Sequence, residues 1–249
     1  MRFDIVTLFP ELFAPHLAVG ITRRAFEARQ LDVRLWPLRD FATDAYRRVD
    51  DRPFGGGPGM VMLAEPLQRA LAAVRAERGA GGPVVHFTPT GRRIDQALVR
   101  EFAAGEGAVL ICGRYEGVDQ RFVDRHVDLE LSLGDFVLSG AELPALVLLD
   151  AVARLQPGVL TEASHQQDSF SAGLLEGPQY SRPEVLEGPG GPSAVPPVLL
   201  SGHHAAIERW RRERALELTA RRRPDLIAAA RAARQLSEDD ERFLSSLGL

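Results

Sequence analysis

The chain has 249 residues, 30 Lys+Arg against 34 Asp+Glu, a formal net charge of -4, 45% hydrophobic and 26% charged residues, which are the proportions of a globular protein with room for a sizeable core. Every one of the 30 basic residues is arginine, which excludes Schiff-base, Walker-type and other lysine-dependent chemistry and leaves a planar, permanently charged cation suited to phosphates and base edges. The single cysteine, Cys112, excludes an internal disulfide and a CxxC metal site, no apolar run reaches the roughly 20 residues of a membrane span, and MRFDIVTLFPEL lacks a signal-peptide pattern, so a soluble cytoplasmic protein without membrane association is expected.

Over the first two thirds, short apolar runs alternate with helical periodicity, the pattern of a parallel α/β sheet. Strands are expected over residues 3–8, 31–36, 84–88, 109–112 and 129–133, and helices over 16–28, 66–78, 95–104, 118–124 and 142–155. Such sheets bind ligands beyond the carboxyl ends of their strands, so the loops there are the place to look for chemistry. The periodicity stops after Pro157-Gly158, and TEASHQQDSFSAG reads as a polar linker. Three regions follow: an α/β domain over 1–160, a linker over 161–175 and a small α-helical domain over 176–249. Within the last, residues 176–197 are so rich in Gly and Pro that no regular structure is expected there. Between His203 and Arg234, nine Arg face four acidic residues, a local excess of five positive charges. Arg209, Arg212 and the run Arg221, Arg222, Arg223 could follow a phosphate backbone, or form a solvated face with pairs such as Glu208 to Arg212.

The motifs, taken singly, keep two readings each. FGGGPGM (54–60) fails both the Walker and the GxGxxG pattern, which leaves a loop able to approach a ligand closely or a plain connection. In ICGRYEGVDQR (111–121) a strand runs into Gly113, Arg114, Tyr115 and Glu116 before a helix, either a ligand pocket or an ordinary βα turn. SLGDFVLSGAELPALVLLDAVARLQPG (132–158) repeats that logic, with Ser139-Gly140 offering an N-cap. Arg154, near the end of the apolar helix, faces a site or answers the helix dipole. Asp168 stands alone in HQQDSF; His165 lacks the third ligand a metal would need, and His203-His204 reads as a capping or solvated pair.

Together, FDIVTLFPELF, DDRPFGGGPGMVM, LICGRYEGVDQR, SLGDFVLSGAELPALVLLDAVARLQPGVL, QQDSF, RPEVLEG and VPPVLLSGHHAAIERWR closely resemble the bacterial tRNA (guanine-N1)-methyltransferases, the TrmD family, over nearly the whole chain. The resemblance implies a SPOUT-class domain with a deep trefoil knot, an obligate homodimer and S-adenosyl-L-methionine as methyl donor. The implied reaction methylates N1 of guanosine 37 of tRNA, 3′-adjacent to the anticodon. It assigns cofactor binding to Gly113, Tyr115, Glu116, Leu133, Gly134, Asp135, Phe136, Val137, Leu138 and Gly140, with the HFTPTG segment (86–91) lining the same pocket. Asp168, delivered from the partner subunit, is implied as general base, Arg154 as the cation that offsets charge on guanine O6, and Ser169 as an aid to substrate positioning. Magnesium accompanies the family's activity, yet no ligand cluster marks a place for it. Thr90, Phe136 and Ala141 depart from the family pattern and bear on cofactor affinity. The rival readings are a knotted methyltransferase acting on another RNA site and a catalytically silent RNA-binding relative.

Overall fold

In the computed structural model, which describes residues 1–79, 81–161 and 168–248, the apolar runs of the first two thirds pair side by side. In chain order the strands are β1 (Arg2–Thr7), β2 (Asp32–Pro37), the two-residue pair β3 (Asp50–Asp51) and β4 (Val61–Met62), then β5 (Val84–Arg93), β6 (Gly107–Ile111) and β7 (Leu129–Ser132). Five of them form one all-parallel sheet in the order β2-β1-β6-β5-β7. Central β6, GAVLI, is buried at every position, as a strand covered on both faces must be. Alternate side chains feed two cores. Phe3, Ile5, Leu110 and Val85 pack on one face with α4 (Gln96–Ala104) and α6 (Glu142–Arg154); Val6, Val109, Ile111 and Val84 pack on the other with α3 (Ala64–Arg78) and Phe122 of α5 (Gln120–His126).

Local chemistry explains where element bounds depart from the sequence reading. The helix expected over 16–28 is two short ones, α1 (Phe13–Leu17) and α2 (Arg23–Glu27), separated at Gly20, whose φ of 72° lies in the left-handed region. Strand β5 runs five residues past Thr88, with a register shift against β7 between Phe87 and Arg92, so the HFTPTG segment is irregular strand rather than loop. Helix α5 begins after Asp119, whose carboxylate accepts from the Arg121 N–H. Ser139 does not cap α6: Ala141 holds the N-cap position without a side-chain bond, and its φ of -94° shows that alanine is unstrained there.

The chain divides into two compact units, Met1–Thr161 and Glu162–Leu249. In the second, α7 (Pro197–Leu200) leads into α8 (His204–Arg222), which with α9 (Pro224–Ala232) and α10 (Glu238–Ser246) encloses a small core of Leu174, Leu216, Ile227, Ala230 and Leu244. The Gly/Pro-rich stretch holds more structure than its composition suggests. A turn closed by the Gly191 N–H on the Gly188 carbonyl (3.0 Å) lets β8 (Val185–Leu186) pair antiparallel with β9 (Ser193–Ala194). Among the described residues no helix is long and apolar enough to cross a membrane.

Candidate functional site

In the first unit the segments that follow β6 and β7 meet residues 86–89 of β5 around a cavity of about 260 Å³. That size is near the lower edge of the roughly 300–1,000 Å³ usual for small-molecule clefts. Of the ten residues that the resemblance assigns to the cofactor, Gly113, Tyr115, Glu116, Leu133, Gly134, Phe136, Val137, Leu138 and Gly140 line it. Asp135 is not among the lining residues; its carboxylate pairs with Arg93 and is largely exposed. The segment 133–141 crosses back to the turn after β6. Gly140 bridges Arg114, and the Ala141 N–H donates to the Gly113 carbonyl (3.0 Å).

A buried clasp that the sequence did not disclose holds this crossing. Glu142, in the first turn of α6, is wholly buried. It accepts from Thr7 Oγ1 of β1 at 2.8 Å and from Arg114 Nε at 2.8 Å. The same guanidinium donates through Nη1 to the Ser139 carbonyl (3.1 Å) and lies over the Phe9 ring with Cζ 4.5 Å from its centroid. Gly140 makes the fit possible, since a Cβ there would stand 2.1 Å from Arg114 Nε. The one available signal was a carboxylate in the first turn of the helix that carries the apolar run ALVLL, a place where the helix dipole favours negative charge whether or not it is buried.

The neighbouring groups define what the cavity can do. Tyr115 has a φ of 59°, a conformation that costs a residue with a Cβ about 1–2 kcal/mol and that clusters at functional sites. Burial, then the Asp50 carboxylate, push its phenol above the ordinary value. The glycine-rich loop packs on the same turn, where the Glu116 N–H donates to the Met60 carbonyl and the Met62 N–H to the Gly117 carbonyl, each at 2.9 Å. His86 lines the cavity nearly buried, and its Nδ1 has no hydrogen-bond partner. Burial lowers its pKa, keeping the imidazole neutral against the opposing backbone bond at Ile111 and the Glu130 charge. Cys112 is fully buried, and burial raises its thiol well above the usual range, so it is no nucleophile. A cavity rimmed by Phe136, Val137 and Leu138, with loop backbone, one carboxylate and one unpartnered imidazole nitrogen, suits a ligand that is part heterocycle and part cation.

The remaining sequence candidates fall in separate places. Arg154 closes α6 in the first unit. Asp168 belongs to the second unit, half-buried, where it lines a cavity of about 300 Å³ with Trp210, Arg211 and Arg212. Ser169 Oγ accepts from the Glu176 N–H (3.0 Å), a local structural bond. His165 lies outside the described residues. His203 caps α8, its Nδ1 accepting from the Ala206 N–H at 3.2 Å. The pair Glu208 to Arg212 is replaced by Arg212 to Asp240 at 2.9 Å, because α10 brings a capping-box carboxylate against α8.

Residues 1–229 match the family model described as tRNA (Guanine-1)-methyltransferase TrmD. The chain belongs to that family. It is 70% identical, over the full length of both chains, to a tRNA (guanine-N(1)-)-methyltransferase of Leptothrix cholodnii. A relative of the same name from Methylibium petroleiphilum is 68% identical over 99% of this chain and 98% of its own, and one from Bordetella pertussis 57% over 99% and 98%.

Proposed function

We propose that the chain transfers the methyl group of S-adenosyl-L-methionine to N1 of guanosine 37 in tRNA, 3′-adjacent to the anticodon, as a cytoplasmic enzyme. The observation that carries this reading is the convergence of the segments after β6 and β7 on one cavity, fastened by the buried Arg114–Glu142 pair. The residues present fit the cofactor: backbone of 133–140 for a heterocycle, Glu116 for a positive charge, and the unpartnered His86 Nδ1 for a donor. The bound sulfonium supplies an electrophilic methyl group.

Guanine N1 carries a proton and is a weak nucleophile at neutral pH. Asp168 takes that proton as the N1 electron pair forms the new bond to carbon and the carbon–sulfur pair leaves with sulfur. Arg154 offsets the negative charge that develops on guanine O6, a task for a permanent cation in a preorganised site. The Watson–Crick edge must be open, so the target guanine is unpaired or flipped. In this reading residues 1–160 bind the cofactor, 161–175 deliver the base and 176–249 hold tRNA.

The same reading includes the trefoil knot and the homodimer, with Asp168 of one subunit completing the site of the other. The return of segment 133–141 across the end of β5 to the turn after β6 supports the threading. Leu143 and Val147, exposed one turn apart on α6 with Phe9 and Leu12 also exposed, support a subunit contact. A magnesium requirement belongs to the reading as well; among the described residues no cluster of three or more potential ligands forms a site for it, and no step is routed through it.

Mass mapping of tRNA transcripts incubated with the protein and S-adenosyl-L-methionine tests the reaction: a methyl on N1 of the guanosine after the anticodon is expected, and a methyl on ribose or on another base refutes it. Asp168→Ala abolishes transfer and retains cofactor binding. Mixing Asp168→Ala with Arg154→Ala chains restores part of the activity through one intact composite site per heterodimer; verified heterodimers without activity overturn the shared site.

A further inference from the structure

Ion pairs absorb most of the positive charge of the second unit. Arg209, Arg212, Arg214, Arg221, Arg223, Arg231 and Arg242 each hold a carboxylate. Among the described residues of this unit, Arg182, Arg211, Arg222 and Arg234 form no ion pair. Two of these four, Arg182 and Arg211, line the same cavity, of about 460 Å³. Tyr180 and Trp210 line it too, with ring centroids 6.1 Å apart and planes tilted by 58°, and Tyr180 is 49% exposed. Glu184 is the carboxylate of its lining. Trp210 and Arg211 also wall the adjoining cavity that Asp168 lines.

We propose that this cavity receives an unpaired nucleotide next to the target guanine, its base against Tyr180 and Trp210 and its flanking phosphates at Arg182 and Arg211. Single-stranded RNA is bound by stacking splayed bases on aromatic rings beside guanidinium planes, which is the set of groups gathered here. An arginine without a carboxylate meets a phosphate at no cost in a broken ion pair, whereas its paired neighbours on α8 must first give up Glu213, Asp240 or Glu217. Arg211 stands on the wall shared with the Asp168 cavity, so a phosphate held there belongs to a nucleotide adjoining the guanine that Asp168 meets. The proposal rests on the reading of Asp168 as the base that meets that guanine.

The test uses the full chain and an anticodon stem-loop transcript, with affinity measured by fluorescence anisotropy over a range of salt. Arg182→Gln/Arg211→Gln is expected to lower the slope of log K against log salt by about 1.4, at roughly 0.7 per single-strand phosphate contact. Tyr180→Leu is expected to weaken binding about fivefold or more with the slope unchanged, and Tyr180→Phe, which keeps the stacking face, to bind like wild type. KM for tRNA rises in the weakened variants while kcat at saturating tRNA and the Kd for S-adenosyl-L-methionine hold. An abasic nucleotide placed on one side of the target guanosine, then on the other, should in one of the two positions remove the effect of Tyr180→Leu.

Arg231→Gln, which removes a charge paired with Glu241, is the control and leaves affinity unchanged. Equal losses in Arg231→Gln and the double variant, or wild-type affinity and slope in the double variant, overturn the proposal. Thermal midpoints report folding, and the single Arg variants, each expected to lower the slope by about 0.7, serve if the double variant is unstable. A wild-type protein that binds the stem-loop through these residues yet methylates no tRNA overturns the proposed reaction instead, so the two failures are distinct.

Discussion

Arg114→Met probes the clasp under the cofactor cavity. The substitution keeps the bulk of the stem but removes the 2.8 Å bond to Glu142, the 3.1 Å bond to the Ser139 carbonyl and the cation over Phe9. Glu142, with a side chain 0% exposed, is left with the Thr7 hydroxyl alone. An uncompensated buried charge costs about 3–5 kcal/mol, against roughly 0.2–1 for losing an exposed pair. That loss is a large part of the roughly 5–15 kcal/mol by which proteins are stable. Urea unfolding followed by Trp36 fluorescence in a Trp210→Phe background reads the first unit alone, because the chain has 2 tryptophans. Adding Glu142→Gln keeps an acceptor for Thr7 and removes the stranded charge, so about 2 kcal/mol or more should return, the coupling expected of contacting residues. A single-variant loss under about 1 kcal/mol, or a double variant no more stable than the single, would refute a buried clasp.

Three further expectations follow from the same geometry. Gly140→Ala sets a methyl 2.1 Å from Arg114 Nε, a side chain pinned by Glu142, so calorimetry should show weaker S-adenosyl-L-methionine binding; unchanged affinity would mean that Arg114 moves freely. The pKa of His86 is held below its ordinary 6.5 by burial, so below that pH the unfolded chain takes up a proton that the folded chain refuses. Stability is therefore full above 6.5 and falls as pH drops through the lower folded value, and His86→Phe should make the acid slope of first-unit unfolding shallower; an identical slope contradicts this. Arg154→Lys keeps the charge and loses the planar fork, so steady-state assays should show much of kcat gone with the cofactor Kd unchanged; full activity would reduce Arg154 to a point charge.

The fold was legible where burial is periodic. Phe3, Ile5 and Leu110 against Val6, Val109 and Ile111 show both the strands and the two-faced core, because β6, covered on both sides, is buried and free of polar side chains at every position. It was least legible where sequence chemistry is local. The exposed end of β5, TGRR, carries no apolar alternation, and its pairing with β7 depends on a register shift. Gly20 is one residue in an otherwise helical pattern, yet its left-handed backbone splits the helix. Glu142 and Arg114 are 28 residues apart, and a carboxylate in a first helical turn reads as a solvated dipole partner until the strand carrying Thr7 is seen beside it.

Charge counting had the same blind spot in the second unit. An excess of five between His203 and Arg234 points to a basic surface, and Arg209, Arg212, Arg221, Arg222 and Arg223 are its natural candidates on helical spacing. Structure reverses that ranking: four of these five are held by carboxylates, two of the four pairs by residues outside α8. Arg182 lies outside the counted window altogether, in a stretch whose composition suggested no structure. A guanidinium is available to RNA according to what else it touches, which depends on which helices pack together. The excess of charge is therefore local to that window, while the position of the unpaired arginines beside Tyr180 and Trp210 sets where a strand can be held.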